Sequence, residues 1–188
     1  MGHQITEAGV RPDPEKVAPI EHFPTPTNPK QLKAFCGMIS YYRRFIPNCS
    51  RIASPLYKLL KKDTKFERTA AQENAFQHLK SILTRQPILQ YPDSSNEFVL
   101  TTDACNQGLG AVLSQGPIGK DLPVAYASRS LNSSKSHYTP SEELLAMVWS
   151  TKYFRPYLYG RKLKIVSDHK PLVWIMNVKV PGSRLKRW

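Results

Sequence analysis

Apolar residues fall into two rhythms along the chain, and each predicts a different kind of element. In "KQLKAFCGMISYYRRFIPN", Leu32, Phe35, Cys36, Ile39, Tyr42 and Ile46 recur at helical spacing, which predicts an amphipathic helix ended near Pro47. A shorter helix is predicted over Ile52 to Lys61. Another is predicted from Ala70 to about Arg85, with Phe76, Leu79, Ile82 and Leu83 turned inward. From Glu97 the rhythm changes to short β-branched runs, "EFVLTTDA", "LGAVLSQ" and "LPVAYASRSL", separated by Gly, Asn and Pro. Their close spacing predicts an antiparallel meander. A helix over "SEELLAMVWSTKYFRPYLYG" follows, with Ser141 as its N-cap. A fourth strand is predicted in "KLKIVSDHKPL" and a short helix in "PLVWIMN". The order from residue 97 is β-β-β-α-β-α, an α/β (α+β) domain with a mixed sheet, preceded by a small helical segment.

Outside these rhythms lie two punctuated stretches. Six prolines fall within the first thirty residues. Proline removes backbone donors and breaks helices, so this reads as a connecting arm with one turn of helix at Glu15 to Ile20. "QPILQYPDSSN" reads as a linker. The expected organisation is an arm over 1–29, a helical segment over 30–92 and a mixed-sheet domain over 93–188.

Composition narrows the class. The 188 residues carry 27 Lys and Arg against 14 Asp and Glu, a formal net charge of +13, which favours a polyanionic partner such as nucleic acid. Cys36, Cys49 and Cys105 are odd in number and show no zinc-ligand spacing. They suit a reducing intracellular compartment. The N-terminus lacks the apolar stretch of a signal peptide, and the longest apolar runs are too short to span a bilayer, so an intracellular protein with no membrane partner is expected.

Against this background four acids stand out. Asp103 ends the first strand of the meander, Glu142 and Glu143 open the helix, and Asp168 follows the fourth strand as the only acid between Leu144 and Trp188. Taken singly, such a residue is ordinarily a turn cap or half of a salt bridge. Strand ends and a helix start can, however, converge on one edge of an α/β sheet. Several carboxylates share a pocket in ionised form only when a cation is present. Oxygen-only ligands select Mg²⁺ or Mn²⁺, and two such ions serve phosphodiester cleavage.

The runs "VLTTDACNQGLGAVLSQ", "PVAYASRSL", "SEELLAMVW", "KYFRPYLYGRKLKIVSDHKPLVW" and "PGSRLKRW" closely resemble the RNase H domain of gypsy-like LTR retrotransposon Pol polyproteins. "GHQITEAGVRPDPEKV" resembles the end of a reverse transcriptase palm. "KQLKAFCGMISYYRRFIPNCSRIASPLYKLLKK" resembles the thumb or connection that follows it. The resemblance implies cleavage of the RNA strand of an RNA–DNA hybrid, with Asp103, Glu143 and Asp168 as catalytic acids holding Mg²⁺ or Mn²⁺ in a two-ion site. It favours nucleic-acid contacts from Arg43 and Arg44 in "YYRRFIPN", and implies a parent Pol polyprotein as the other partner; "ASRSL" offers Ser128 and Arg129 as phosphate contacts or as a plain strand end.

The chain departs from the family pattern in places. The adjacent glutamates of "SEELLA" stand where the family has Glu-x-Glu. Glu143 keeps its spacing to Leu144 and Leu145, and Glu142 takes the role if the helix starts differently. Arg68 replaces a common tryptophan, which weakens a packing anchor. The family's polymerase aspartates lie upstream, and its fourth RNase H aspartate lies beyond "RLKRW". A C-terminally truncated piece of a longer protein is therefore expected, with a catalytically inactive nucleic-acid-binding remnant as the alternative.

Overall fold

The computed structural model describes residues 2–105, 108–131 and 139–167 of the chain. Its first half is built by caps and prolines. Two four-residue strands, β1 (His3–Thr6) and β2 (Gly9–Pro12), form an antiparallel hairpin with His3 opposite Pro12. Asp13 then caps α1 (Pro14–Glu21), its side chain accepting from the Glu15 N–H, and Pro14 occupies the first turn, where its missing donor costs nothing. Asn28 does the same for α2 (Pro29–Tyr41), accepting from Gln31 N at 3.0 Å. A single 3-10 turn (Arg43–Phe45) leads to α3 (Cys49–Lys58), and a Thr69–Gln72 capping box starts α4 (Ala70–Thr84). Phe35, Phe45, Phe76, Ile39, Leu79 and Leu83 are fully buried at the centre of this half.

Several expectations are corrected here. The proline-rich arm carries the expected helix, at Pro14–Glu21, but its first residues fold as a hairpin instead of running open, because Pro12 and Pro14 sit at element ends where they cost no ladder or helix bond. The supposed linker carries Leu89, which is fully buried and exchanges backbone hydrogen bonds of 2.8 Å with Val10 in both directions. Gly9 makes this approach possible. Its φ is 132°, and a Cβ there would lie 2.2 Å from the Leu89 carbonyl oxygen. The first predicted helix stops at Tyr41 instead of continuing to Pro47, and the second starts three residues early at Cys49. Arg68 is not an empty anchor. Its guanidinium lies 5.8 Å from the Phe76 ring centre, pairs with Glu73 and donates to the Pro26 carbonyl, so it packs as a flat lid.

The second half is a four-stranded mixed sheet with helices. β3 (Phe98–Cys105), β4 (Gly108–Gln115) and β5 (Leu122–Ser130) form the expected meander, and β6 (Leu163–Val166) pairs with β3 in parallel, giving the order β5-β4-β3-β6. The predicted long helix is two, α5 (Thr139–Tyr153) and α6 (Arg155–Leu158), broken at Phe154 before Pro156. Since α5 begins at Thr139, Ser141 lies inside its first turn and is not the N-cap. The predicted "PLVWIMN" helix lies outside the described residues.

Alternation gives the sheet two faces. Phe98, Leu100, Ala111, Leu113, Ala125 and Ala127 form one, packed against Trp149 of α5 and Phe154 at the break between α5 and α6. On the other, Tyr126 packs into the helical core and Ser128 meets α3, so the helical half sits directly on this face. The mixed-sheet α/β class is the one the hydrophobic pattern predicts.

Candidate active site

Asp103 belongs to the face that meets the helical half. In the strand register Asp103 stands opposite Gly110, and Gly110 opposite Ser128, so the three form a row across β3, β4 and β5. The start of α3 is laid along this row. Asn48 Nδ2 donates to Asp103 Oδ2 at 3.4 Å, and Arg51 Nη1 reaches the same oxygen at 3.5 Å. At the other end the Ser50 N–H and hydroxyl bond the Ser128 hydroxyl at 3.0 and 3.1 Å. The Arg43 guanidinium donates to the Ser128 carbonyl. Between them Asn48 lies against Gly110, where a Cβ would come 2.1 Å from Asn48 Oδ1.

Glu143 comes from the opposite side. α5 places its Oε1 3.0 Å from the N–H of Ala104, the residue after Asp103, so a carboxylate forty residues on in sequence reaches the strand position next to Asp103. The side chain is buried, at 6% exposure, which a carboxylate tolerates only where donors or a cation are supplied. Glu142 is equally buried, and its Oε1 has no hydrogen-bond partner among the described residues. β6 ends at Val166, opposite Thr101, so it runs in parallel toward the end of β3 that carries Asp103. Asp168, two residues later in sequence, lies outside the described residues.

The other predicted contacts divide. Arg43 and Ser128 are spent on joining the two halves. Arg44 lies partly buried, 5.7 Å from the Phe45 ring centre, whereas Arg129 is exposed. A cleft of about 360 Å³ beside Ser128 is lined by Arg43, Tyr57, Arg129 and Ser130. Burial pushes the Cys36 and Cys49 thiols up to about 11, which makes them core residues and not nucleophiles.

Asn48, Ser50 and Arg51 were not singled out in the sequence. Their one sequence signal is "PNCSR", a helix start, and it says nothing of partners 52 to 78 residues on. As a donor set, Asp103 and Glu143 offer oxygen only, which fits a hard divalent ion. Among the described residues no three His, Cys, Asp or Glu side chains gather as a complete metal site.

Residues 93–188 match the family described as the RNase H-like domain found in reverse transcriptase. The chain belongs to that family. It is an RNase H region of the retrotransposon Pol type. The retrovirus-related Pol polyproteins from transposons 297 and gypsy of Drosophila melanogaster are 48% identical to it over 190 residues and 37% identical over 202, and both matches cover 100% of this chain. The Tf2-3 transposon polyprotein of Schizosaccharomyces pombe is 37% identical over 194 residues, again across 100% of the chain. The chain spans only 18%, 19% and 15% of these relatives' respective lengths.

Two solved structures of a foamy viral protease–reverse transcriptase share the fold over 100% of this chain. One is in complex with RNA/DNA hybrid, with a TM-score of 0.76 over 26% of that chain. The other is the dRH form with double-stranded DNA, with a TM-score of 0.78 over 34%. Both are 22% identical, so the likeness speaks for the fold alone. Among the described residues no helix is long and apolar enough to cross a membrane.

Proposed function

We propose that this RNase H-like region is a divalent-metal-dependent endonuclease that hydrolyses the RNA strand of RNA–DNA hybrids. The observation that supports the reading is the hydrogen bond from Ala104 N to Glu143 Oε1, which brings a buried helix carboxylate to the backbone of the residue that follows Asp103 on a central strand. Asp103 and Glu143, with Asp168 as the third acid, would hold Mg²⁺ or Mn²⁺. In a two-ion site such ions activate a water and stabilise the leaving oxygen of a phosphodiester. The residues themselves orient: the Ala104 N–H fixes the Glu143 carboxylate, and the row on the sheet fixes α3 over Asp103.

The +13 charge supports a polyanionic substrate, and exposed Arg129 is the strongest of the expected phosphate contacts. Arg43 and Ser128 contribute by holding the helical half against β5, and Arg44 by its place beside Phe45. Selection of hybrid would come from 2′-hydroxyls and groove shape. The foamy viral relative of this fold is described in complex with RNA/DNA hybrid, which agrees with the substrate class. The longer protein would be a Pol polyprotein with RNA-directed DNA polymerase activity supplied by other segments.

Cleavage of an end-labelled RNA–DNA hybrid in Mg²⁺ or Mn²⁺ tests this. Asp103→Asn and Glu143→Gln should each lower the rate by about 10²–10³-fold, and EDTA should abolish it. Glu142→Gln should retain most of the activity. Cutting by Asp103→Asn at the wild-type rate would sink the reading. Salt-sensitive hybrid binding without cutting, in folded protein, would leave a nucleic-acid-binding remnant.

A further inference from the structure

The start of α3 contains an asparagine that does not do the usual work of its position. Asn48 is the N-cap residue, where an Asn side chain ordinarily accepts from an N–H of the first turn. Here it makes no capping bond. Its backbone is left-handed, with φ 48° and ψ 34°, a conformation Asn tolerates better than most residues. The amide is turned away from its own helix, with Oδ1 over Gly110 and Nδ2 toward Asp103. One turn on, Arg51 directs a guanidinium nitrogen at the same carboxylate oxygen. Two donors from the helical half, one of them charged, therefore converge on Oδ2 of one acid. Arg51 is a permanent cation, and any cation that binds Asp103 must share the charge of that one carboxylate with it.

We propose that Arg51 and Asn48 form a latch that competes with a divalent cation for Asp103, so that metal binding and the docking of α3 on the sheet oppose each other. This rests on the reading of Asp103 as a metal ligand. The latch is built to yield. Its contacts of 3.4 and 3.5 Å are long for charge-assisted bonds, and the Arg51 and Asp103 side chains are 53% and 49% exposed. Water screens such a pair, so it tunes metal affinity by a small factor and does not block the site. Coupling of this kind is reciprocal: if docking of α3 weakens metal binding, metal weakens the docking of α3 by the same factor. In a longer Pol protein, movement of the helical half off the sheet would raise the metal affinity of the site.

The test is Mn²⁺ binding to the whole 188-residue chain, followed by calorimetry and by the electron paramagnetic resonance of free Mn²⁺. Arg51→Met should bind Mn²⁺ about two- to fivefold more tightly than wild type, whereas Arg51→Lys, which keeps the charge, should stay closer to it. Asp103→Asn should bind weakly whatever stands at position 51. Unchanged affinity in a folded Arg51→Met, with binding still lost in Asp103→Asn, overturns the latch and spares the metal site. Unchanged binding in Asp103→Asn overturns both. Hydrogen exchange of the wild type needs no variant: saturating Mg²⁺ should speed exchange of the Arg51 and Ile52 amides, and slowed or unaltered exchange there refutes the opposition.

Discussion

The two faces of the sheet are held in different ways. Against α5 and α6 the contact is mainly apolar, made by Phe98, Leu100, Leu113 and small residues of β4 and β5 closing on Phe154, with the Ala104–Glu143 hydrogen bond beside it. Against α3 and the 3-10 turn, Tyr126 supplies apolar contact, but the row Asp103–Gly110–Ser128 is gripped by directional bonds from Asn48, Arg51, Ser50 and Arg43. Apolar area is strong and indifferent to small slips, because burial has no direction. Hydrogen bonds contribute less net stability each, yet they are satisfied in one register only. One face therefore secures the fold, and the other decides where α3 sits over the acid at the end of β3.

The widest test of this difference removes volume from the apolar face. Leu113 is fully buried, and Leu113→Ala should cost about 2–5 kcal/mol in urea unfolding. Ser128→Ala on the other face should cost less, about 1–3 kcal/mol, mainly by leaving the Ser50 N–H without its partner. A cycle with Ser50→Ala should then show a coupling of at least ~0.5 kcal/mol between the two serines. A Ser128 effect larger than that of Leu113, or additive serines, would break the comparison.

Gly110→Ala is the finer probe. The new methyl meets the tip of Asn48, which can swing aside, so the stability cost should fall near ~1 kcal/mol, the low end for overpacking. Displacing Asn48 should nevertheless remove its bond to Asp103. Nuclear magnetic resonance of the Asn48 side-chain amide would show this as a shift absent from Leu113→Ala. An unmoved Asn48 amide would mean that the row does not set its place.

What was readable in the sequence followed locality. β3, β4 and β5 announce themselves by β-branched residues between Gly and Pro breaks, and α4 by its spacing of Phe76, Leu79 and Leu83. Acids at the end of an apolar strand and at a helix start were visible as residues out of place. The hairpin His3–Pro12 was hidden because four-residue strands next to prolines carry almost no alternation. Leu89 was hidden because one buried residue between Pro87 and Pro92 looks like loop. Asn48 and Arg51 were beyond reach for another reason: their partner lies 55 and 52 residues away, and only the docking of two halves brings them to it. Glu143 meets Ala104 through the seating of α5 over β3, which no local pattern encodes.

The last predicted effect lies at the β4–β5 turn, outside the row that α3 grips. Asp121 closes this turn, with Oδ2 accepting from the Ser114 hydroxyl and Oδ1 from the Gly119 N–H at 3.0 Å. The Ser114 bond in particular holds its carboxyl below the ordinary value of 3.8, ahead of the smaller opposing effect of burial. A depressed carboxyl stabilises the fold fully above its unfolded value. That contribution fades as pH falls through the lower folded value, because the proton must then be taken up by both states. Asp121→Asn should therefore cost about 1 kcal/mol at pH 7, since solvent reaches the turn and keeps the charged bond near the bottom of its range. The gap to wild type should shrink as the pH is taken below 4 and onward through the depressed value. The variant should leave the Ser50–Ser128 coupling at its wild-type size. Loss of that coupling in Asp121→Asn would show that the grip on α3 depends on the sheet's far turn, and the two faces would no longer be separable.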